Sequence, residues 1–411
     1  MANEEVIIGL DIGSNSVKVA VGQTAKESDE KLHIIGVAQI DSEGVNRGII
    51  TSIEDAVACV SKTLDAAEKM TGLPLQQAWI GITGGNIISQ VSKGVVAVSK
   101  TNGEISEDDE ERAIEAAKTV TCPPNYEILH VIPRSYSVDG QIGIKDPIGM
   151  NGTRLEVEVY IIMGLVSQIK NLTKTVYQTG LDINDLVLSV LATGECALTS
   201  KQKELGVAVV NIGAATTSLA VYEEGNLIHI AVIPLGADHI TADIAIGLRT
   251  SIEVAEQIKL KYGIAVEKLV DKKEEINLNE FSDVEDGFVA KKYVAEIIEA
   301  RVEEIFEKVD NELKKIDRSG LLPAGVILTG GGAKLPKIVE VAKKVLRLPA
   351  ALGYPSDIVS VIDDVNDLSY TTAIGLVKWG NLSSKGKKVS HFNSTNMVLK
   401  KVRGWFRSLM P

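Results

Sequence analysis

Two segments 200 positions apart combine glycine with hydroxyl side chains in the pattern of a phosphate-binding turn. Residues 11–18 have the sequence DIGSNSVK, and residues 211–218 have the sequence NIGAATTS. A tight turn built from glycine, serine and threonine presents backbone N–H groups and hydroxyls, which bind phosphate oxygens. One such turn is common in β-hairpins, so it is the second copy that favours a clamp on a polyphosphate.

The elements around the two turns also match. An apolar run precedes each turn, at residues 6–10 and 207–210, and another follows, at residues 32–39 and 227–233. Apolar residues at helical spacing come next, namely Ile53, Val57, Val60 and Leu64 in the first copy and Ile240, Ile244 and Leu248 in the second. Each copy therefore predicts a hairpin, a third strand and a helix, and together they predict two similar domains with a pocket between them.

A third glycine run, TGGGA at residues 329–333, follows the buried-strand pattern of residues 326–328. Proline near its start favours a helix over residues 336–346. Consecutive glycines between a strand and a helix let the backbone approach a ligand closely, and a flexible turn is the alternative. No Gly-Lys-Ser/Thr sequence follows, so the segment is not a Walker A loop.

One stretch of the first half, residues 83–163, does not fit the repeat. It contains strand patterns at residues 89–98 and 155–162, with a charged helix pattern at residues 108–119 between them. This order predicts an inserted α+β subdomain. His130 lies in another strand-like run and is expected to be packed rather than catalytic.

A second insertion is predicted at residues 237–297. It includes an acidic stretch, with loops or short strands expected around Ile276 and Phe281. A long helix with an apolar stripe is predicted over residues 289–316.

Composition limits the classes of function. The chain has 411 residues, 45% of them hydrophobic and 24% charged, which is ordinary for a folded protein of several domains. Its three cysteines cannot form a disulfide framework, and it has no signal peptide pattern or apolar run long enough to span a membrane, so we expect a cytosolic protein. The net charge of −12 argues against binding to nucleic acid.

The C-terminal segment has the opposite charge and an amphipathic pattern. Residues 385–395 are polar and predict a linker, and residues 396–411 predict a helix. Its apolar face consists of Val398, Val402, Trp405, Phe406 and Leu409, and the opposite face carries Lys400, Arg403 and Arg407. This layout predicts a helix bound at an anionic membrane surface; docking on its own domain or on a partner protein is the alternative.

Four segments together resemble a known family: residues 9–14, 129–133 and 325–333, and the amphipathic C-terminus. The chain resembles the actin, sugar-kinase and heat-shock-chaperone superfamily of ATPases and, more narrowly, the FtsA family of bacterial cell-division proteins. The resemblance implies an α/β, actin-like fold with two ribonuclease-H-like domains around a nucleotide cleft, each with an inserted subdomain. The expected units are residues 1–82 with 164–196 and 358–384 for the first core, 83–163 for its insertion, 197–236 with 298–357 for the second core, and 237–297 for the second insertion.

The resemblance also implies a site for ATP and Mg²⁺. Asp11 would hold the magnesium ion through water. The phosphates would face Ser14, Asn15, Ser16 and Lys18 from one side and Gly213, Ala214, Ala215, Thr216 and Thr217 from the other. The ribose and adenine would lie near Glu256 and Lys259, and near Gly330, Gly331, Gly332 and Lys334. A solvated ion pair is the alternative role of Glu256 and Lys259.

Two departures from the superfamily pattern affect the expected chemistry. Asn211 stands where the superfamily usually has an aspartate, so an anchor for metal or water is weakened. Ala214 and Ala215 replace glycines, so we expect ATP binding with at most slow hydrolysis. Glu195 is the candidate for orienting the attacking water, and a helix-surface carboxylate is the alternative role.

The partners implied by the resemblance are other division proteins and a membrane. Such a protein polymerises on the inner face of the cell membrane at the division site, through the insertion at 83–163, and recruits later division proteins. Its second insertion receives the acidic C-terminal tail of FtsZ, here through Lys292 and Arg301, although Arg301 could instead form an ion pair with Glu304. The alternatives are a small-metabolite kinase or phosphatase and a pilus-assembly actin homologue; Asn211 argues against the first and the basic tail against the second.

Overall fold

The computed structural model describes residues 5–24, 31–119, 122–281 and 287–384. The chain begins with an antiparallel meander and a helix, after which a strand returns to pair parallel with the first one. These elements are β1 (Val6–Ile12), β2 (Ser16–Thr24), β3 (Leu32–Asp41), β4 (Val45–Asn46), β5 (Ile49–Ile50), α1 (Ile53–Thr71) and β6 (Gln77–Ile82). The helix begins after Ser52, whose hydroxyl accepts a hydrogen bond from Asp55 N, and ends at Gly72, which has a φ of 70°.

The first insertion is a four-stranded antiparallel sheet with one helix packed on it, in the strand order β7-β10-β8-β9. Its elements are β7 (Ile88–Ala97), α2 (Glu107–Ala117), β8 (Tyr126–Val138), β9 (Gln141–Ile144) and β10 (Arg154–Leu165). Gly94 lies beneath α2, where any Cβ would collide with the carbonyl of Ala113. These elements form an α+β unit, and its helix ends two residues earlier than expected.

The chain then returns to complete the first sheet. This part contains α3 (Val166–Gln178), β11 (Asp182–Leu188) and α4 (Ser189–Ala197). The sheet has the order β11-β6-β1-β2-β3, followed by a short strand from near the C-terminus. His130 in β8 is buried, and its Nε2 accepts a hydrogen bond from Leu188 N at 3.0 Å, so the prediction that it is packed is confirmed.

The second half repeats the same arrangement in a five-stranded sheet with the order β14-β13-β12-β17-β18. Its elements and insertion are α5 (Ser200–Leu205), β12 (Val207–Ile212), β13 (Thr217–Glu223), β14 (Asn226–Ile233), α6 (Ala237–Leu248), α7 (Ile252–Tyr262), β15 (Glu275–Asn277), β16 (Phe288–Ala290), α8 (Lys291–Lys314), β17 (Val326–Thr329), α9 (Ile338–Leu346) and β18 (Ala350–Leu352). In both sheets the antiparallel meander is followed by a helix and a parallel strand, so the predicted internal repeat is confirmed.

Three predicted elements of this half have different bounds. Helix α8 starts later than expected because residues 288–290 pair with β15 as a strand. Phe281 follows a short 3-10 helix and is not in a strand. Helix α9 begins at Ile338, two residues after the proline, because Lys337 has a φ of 69° and interrupts the helical backbone.

The chain finally returns to the first sheet through β19 (Ile358–Ser360) and ends its described part with α10 (Thr371–Ser384). Helices α4 and α10 pack against each other between the two sheets, and Gly375 lies so close to the carbonyl of Ala192 that no Cβ would fit. Their apolar side chains share one buried cluster with both sheets, including Leu191, Val209 and Leu376. The two halves are therefore joined by a packed core.

Candidate functional site

The two predicted phosphate turns have the same backbone geometry. Gly13 N donates to Ser16 O at 3.1 Å, and Gly213 N donates to Thr216 O at 2.9 Å. A Cβ on either glycine would lie about 3 Å from that carbonyl, 2.9 Å in the first turn and 3.0 Å in the second. Each turn therefore uses glycine to close tightly between two antiparallel strands, as a phosphate-binding turn requires.

The first turn carries a half-buried pair of opposite charges. Asp11 and Lys18 are cross-strand partners in β1 and β2. Burial raises the pKa of Asp11, opposed by the charge of Lys18, and burial lowers the pKa of Lys18, opposed by the charge of Asp11. Lys18 Nζ also donates to Ser16 Oγ at 2.5 Å. The charge of each residue therefore favours the charged form of the other. A magnesium ion beside Asp11 and a phosphate beside Lys18 would favour both charged forms further.

The residues around Asp11 fit a hydrated magnesium ion. The position that a Cβ of Gly81 would occupy is 3.2 Å from Asp11 Oδ1 and 2.8 Å from Ser189 Oγ. The Ser189 hydroxyl is buried at the start of α4 and has no hydrogen-bond partner. Across the described ranges no three His, Cys, Asp or Glu side chains converge as a metal site. A magnesium ion here would keep water and phosphate oxygens among its ligands, as Mg²⁺ commonly does.

The second turn is joined to the start of α6. Ala237 N donates to Gly213 O at 2.9 Å, and Asp238 N donates to Ala214 O at 2.8 Å. The hydroxyl of Thr217 donates to the carbonyl of Leu235 at 2.8 Å, so it braces the turn. Backbone N–H groups of the turn, rather than the Thr217 hydroxyl, are therefore available for a phosphate.

Glu256 and Lys259 are brought together one helical turn apart in α7, as predicted. Lys259 Nζ lies 2.6 Å from Glu256 Oε2 and donates to Thr241 Oγ1 at 2.7 Å. Lys259 also reaches the carbonyl of Ala237 at 3.4 Å, so the pair lies against α6 near the second turn. Burial raises the pKa of the neighbouring Asp238, opposed by the charge of Lys259.

The glycine run lies directly against the second turn. Gly330 has a φ of 87° and packs on Asn211 and on the carbonyl of Ile212, and Gly332 packs on the Ile212 side chain. Gly331 has no atom within 4 Å of the position of a Cβ. Two of the three glycines are therefore required by close packing, and the backbone of the third is open to the cleft.

Charged side chains on the two sides of the cleft are close enough to influence one another. Lys334 forms an ion pair with Asp367 at 2.6 Å. The charge of Asp367 favours protonated Lys18, and the charge of Lys334 opposes it. The first phosphate turn and the glycine run therefore face the same cleft.

Asn211 has a role that its sequence position did not predict. Its Nδ2 donates to Thr372 Oγ1 at 3.2 Å, and this hydroxyl lies 3.0 Å from Thr193 Oγ1. Thr372 belongs to α10 and Thr193 to α4, so this chain of hydrogen bonds links the second turn to both connecting helices. The amide can donate this bond, whereas an ionised aspartate can only accept.

Glu195 lies away from the phosphate turns. Its carboxylate is 2.5 Å from Lys203 Nζ, and the Lys203 ammonium lies over the Tyr222 ring. Tyr222 is five residues along β13 from the second turn, close to its other end. The geometry thus matches the alternative of a paired surface carboxylate and does not support a role in orienting water.

The two residues predicted to bind a partner's tail already have partners within the chain. The Arg301 guanidinium binds Asp243, with Nη2 to Oδ1 at 2.8 Å, and also contacts Glu304. This pairing raises the pKa of Arg301, chiefly through the hydrogen bond to Asp243. Lys292 lies 3.4 Å from Glu267. An acidic ligand would therefore compete with carboxylates of the chain itself.

The predicted membrane residues, 398–409, lie outside the described residues. In the described part of the chain no helix combines the length and apolar character needed to cross a membrane. A cavity of about 300 Å³ lies near Trp79 and Ser384, at the end of α10, and is separate from the phosphate turns.

Sequence reasoning missed several residues of the site. They are Gly81, Ser189, Thr193, Asp238, Thr241, Asp367 and Thr372. Serine and threonine in helices have no distinctive local pattern, so only their position in the folded chain shows that they border the cleft.

Comparisons with known proteins agree with this architecture. A family model described as "Cell division protein FtsA" matches residues 208–375, and one described as "SHS2 domain inserted in FTSA" matches residues 84–163. The cell division protein FtsA of Pseudomonas aeruginosa is 34% identical over 98% of this chain and 97% of its own length. That of Bacillus subtilis is 40% identical over 95% of this chain and 87% of its own length.

Solved structures confirm the actin-like fold. The PilM–PilN type IV pilus biogenesis complex has a TM-score of 0.66 at 15% identity, covering 91% of this chain and 98% of that one. MreB5 of Spiroplasma citri bound to ADP has a TM-score of 0.54 at 13% identity, covering 93% and 98%. At these identities the likeness shows the fold alone, whereas the relatives above 30% identity decide between the pilus homologue and the division protein. The chain therefore belongs to the FtsA family of actin-like cell division proteins.

Proposed function

We propose that this chain binds Mg-ATP in the cleft between its two sheets and that the nucleotide controls assembly of a membrane-attached division filament. The observation that carries this proposal is the pair of phosphate turns with matching geometry, closed at Gly13 and Gly213. A polyphosphate held by both turns stabilises the closed arrangement of the two halves, because it binds that arrangement more tightly than an open one.

Different residues of the cleft bind different parts of the nucleotide. Residues 14–18 and 213–216 hold the phosphates, and the Glu256–Lys259 pair and residues 330–334 border the ribose and adenine. Bound Mg²⁺ supplies positive charge to the phosphates and to Asp11. Because the Asn211 amide is hydrogen-bonded to Thr372, it stabilises the helix crossing and contributes no charge to the metal, so we expect hydrolysis to be slow at most.

The membrane is bound through the C-terminal amphipathic helix. Trp405 and Phe406 enter the interface, and the basic face attracts anionic lipid, with about 1 kcal/mol per cation. A polar linker of residues 385–395 connects this helix to the end of α10. The protein is therefore peripheral on the inner face of the cell membrane at the division site.

Liposome co-sedimentation tests the two main parts of this function together. Full-length chain and a chain ending at Ser394 are mixed with anionic vesicles, with and without Mg-ATP. We expect pelleting that requires the tail and increases with ATP. A Trp405→Glu, Phe406→Glu double variant that pellets like the wild type would show that the anchor lies elsewhere, and pelleting without an ATP effect would leave the nucleotide a structural role only.

The second inserted subdomain is proposed to receive the acidic C-terminal tail of FtsZ on α8 and α6. Arg301 and Lys292 provide cations, and Ile246, Phe288 and Tyr293 are exposed apolar side chains on the same subdomain. Because Asp243 occupies the Arg301 guanidinium, the tail carboxylate must displace it.

Two variants test whether the tail competes with Asp243 for Arg301. Arg301→Glu is expected to abolish binding of a labelled FtsZ tail peptide. Asp243→Asn removes one of the two carboxylates that pair with the guanidinium, leaving Glu304, and is expected to strengthen that binding. ATP affinity serves as the control for both. If Asp243→Asn binds the peptide no better and Arg301→Glu binds it normally, the tail does not use this arginine.

Self-association is proposed to use the first inserted subdomain, which also contributes to recruiting later division proteins. In this subdomain β7 is an edge strand of the sheet, and its Val91 and Val95 are 47% and 45% exposed. An edge strand with exposed valines can contact a second copy. Deletion of residues 84–162 is expected to abolish filaments on lipid, as seen by electron microscopy; filaments of normal length would contradict the assignment.

A further inference from the structure

A short hairpin between β3 and α1 holds an arginine in an unusual backbone conformation. Strands β4 and β5 are joined by Arg47 and Gly48, with φ values of 51° and 73°. Glycine adopts such angles freely, but an arginine in the left-handed region costs free energy. The pairing of β4 with β5 holds the backbone of Arg47 in this conformation at the tip of the hairpin.

The hairpin tip lies against the first phosphate turn. Gly48 N donates to Ser14 Oγ at 3.1 Å. Gly48 also packs on Thr83, since a Cβ there would be 2.7 Å from Thr83 Cγ2. Thr83 Oγ1 in turn lies 3.5 Å from Ser218 Oγ of the opposite sheet. The residue next to Gly48, Arg47, is thus at the edge of the cleft where the two halves meet.

Arg47 differs from Lys18 and Lys334 of the cleft because its side chain is not paired with a carboxylate of the described residues. Lys18 is half-buried beside Asp11, and Lys334 is paired with Asp367. Arg47 is exposed, and among the residues that the structure describes its side chain has neither a hydrogen bond nor an ion pair. An arginine placed in this way offers a planar fork of donors to an incoming phosphate.

We propose that Arg47 contacts the terminal phosphate of the bound nucleotide and so distinguishes a nucleoside triphosphate from a diphosphate. This inference rests on the proposed nucleotide binding. Ser14 lies at the start of the turn that holds the phosphates, and Gly48 donates to it, so a phosphate at Ser14 is within reach of the adjacent arginine side chain. A contact of this kind also ties the hairpin, and α1 directly after it, to the nucleotide state.

Calorimetric titration of the full-length chain tests the assignment. Binding of AMPPNP and of ADP, each with Mg²⁺, is measured for the wild type, Arg47→Ala, Arg47→Lys and Arg47→Gly. We expect the alanine variant to lose about tenfold in affinity for AMPPNP with ADP nearly unchanged. Arg47→Lys should retain part of the preference for AMPPNP over ADP. Arg47→Gly should lose as much AMPPNP affinity as Arg47→Ala, although glycine relieves the backbone strain.

Arg249→Ala is a matched control. Arg249 is an exposed arginine in the same left-handed conformation, with a φ of 58°, at the far end of α6 from the second phosphate turn. It is expected to leave both affinities unchanged.

Two results would overturn the inference while nucleotide binding stands. The first is unchanged AMPPNP affinity in both Arg47→Ala and Arg47→Gly. The second is an equal loss for AMPPNP and ADP, which would remove the assignment to the terminal phosphate. A wild-type chain that binds neither nucleotide would instead overturn the proposed function, and this inference with it.

Discussion

Gly330→Ala is a substitution whose effect can be worked out from the structure. Gly330 has φ 87° and ψ 168°, a backbone region that is essentially restricted to glycine. An alanine there costs about 1–3 kcal/mol in backbone strain alone. Its Cβ would also collide with Asn211 Oδ1 and the carbonyl of Ile212, both at the second phosphate turn.

Gly331→Ala, one residue away, is the matched control. No atom lies within 4 Å of the position of its Cβ, and its φ is not in the left-handed region. A change of this kind is expected to alter the free energy of unfolding by no more than about 0.5 kcal/mol.

Thermal denaturation followed by calorimetry compares the two variants. If Gly330→Ala costs about 2 kcal/mol, the melting temperature should fall by roughly 2 °C, because a chain of 411 residues that unfolds as one unit has a large unfolding entropy. We also expect weaker ATP binding, because the new Cβ displaces Asn211 from Thr372 and so loosens the second turn. A Gly330→Ala chain that melts and binds ATP like Gly331→Ala would refute the reasoning.

Three further predictions concern the core, pH and metal. Phe306→Ala, at a fully buried position, should destabilise by about 3–5 kcal/mol in denaturant unfolding, whereas Phe288→Ala, at 68% exposure, should have little effect. Burial lowers the pKa of His130 to about 4, below its ordinary value near 6.5, so its neutral form stabilises the fold above pH 6.5 and this stability, about 3 kcal/mol, is lost as pH falls toward 4. His130→Gln keeps an acceptor for Leu188 N and should lack that part of the pH dependence in urea titrations; parallel curves for both chains would contradict this. Asn211→Asp adds a carboxylate at the second turn and should make ATP binding more dependent on Mg²⁺ and hydrolysis faster, as measured by phosphate release; unchanged rates would show that the missing charge does not limit the reaction.

The repeat was predictable because its signals are local. A strand, a glycine turn and a second strand occupy consecutive residues, and the helical spacing that follows is independent of the rest of the fold. The bounds of α8 and α9 were not predictable in the same way. Pairing of residues 288–290 with β15 and the left-handed backbone of Lys337 depend on neighbours distant in sequence or on local strain.

The roles of individual side chains depended on tertiary structure to different degrees. Glu256 and Lys259 lie three residues apart on one helix, so their pairing follows from helical geometry. Glu195 in α4 pairs with Lys203, which lies near Tyr222, and only the tertiary structure shows this pair; the role in orienting water stays a prediction. Arg301 had two possible partners in the sequence analysis, and the structure adds a third, Asp243, from another helix.

The sequence by itself determined the repeated glycine turns and the family, because each is encoded in residues close together along the chain. The amphipathic pattern of residues 396–411 lies outside the described residues and stays a prediction. Only the tertiary structure decided which side chains surround the cleft. Ser189, Thr372 and Gly48 come from a helix start, a second helix and a hairpin far apart in sequence, and they lie near the cleft because two sheets pack on the crossing of α4 and α10. Long-range packing of this kind has no local signal, since it is selected by the shape and burial of whole elements rather than by neighbouring residues.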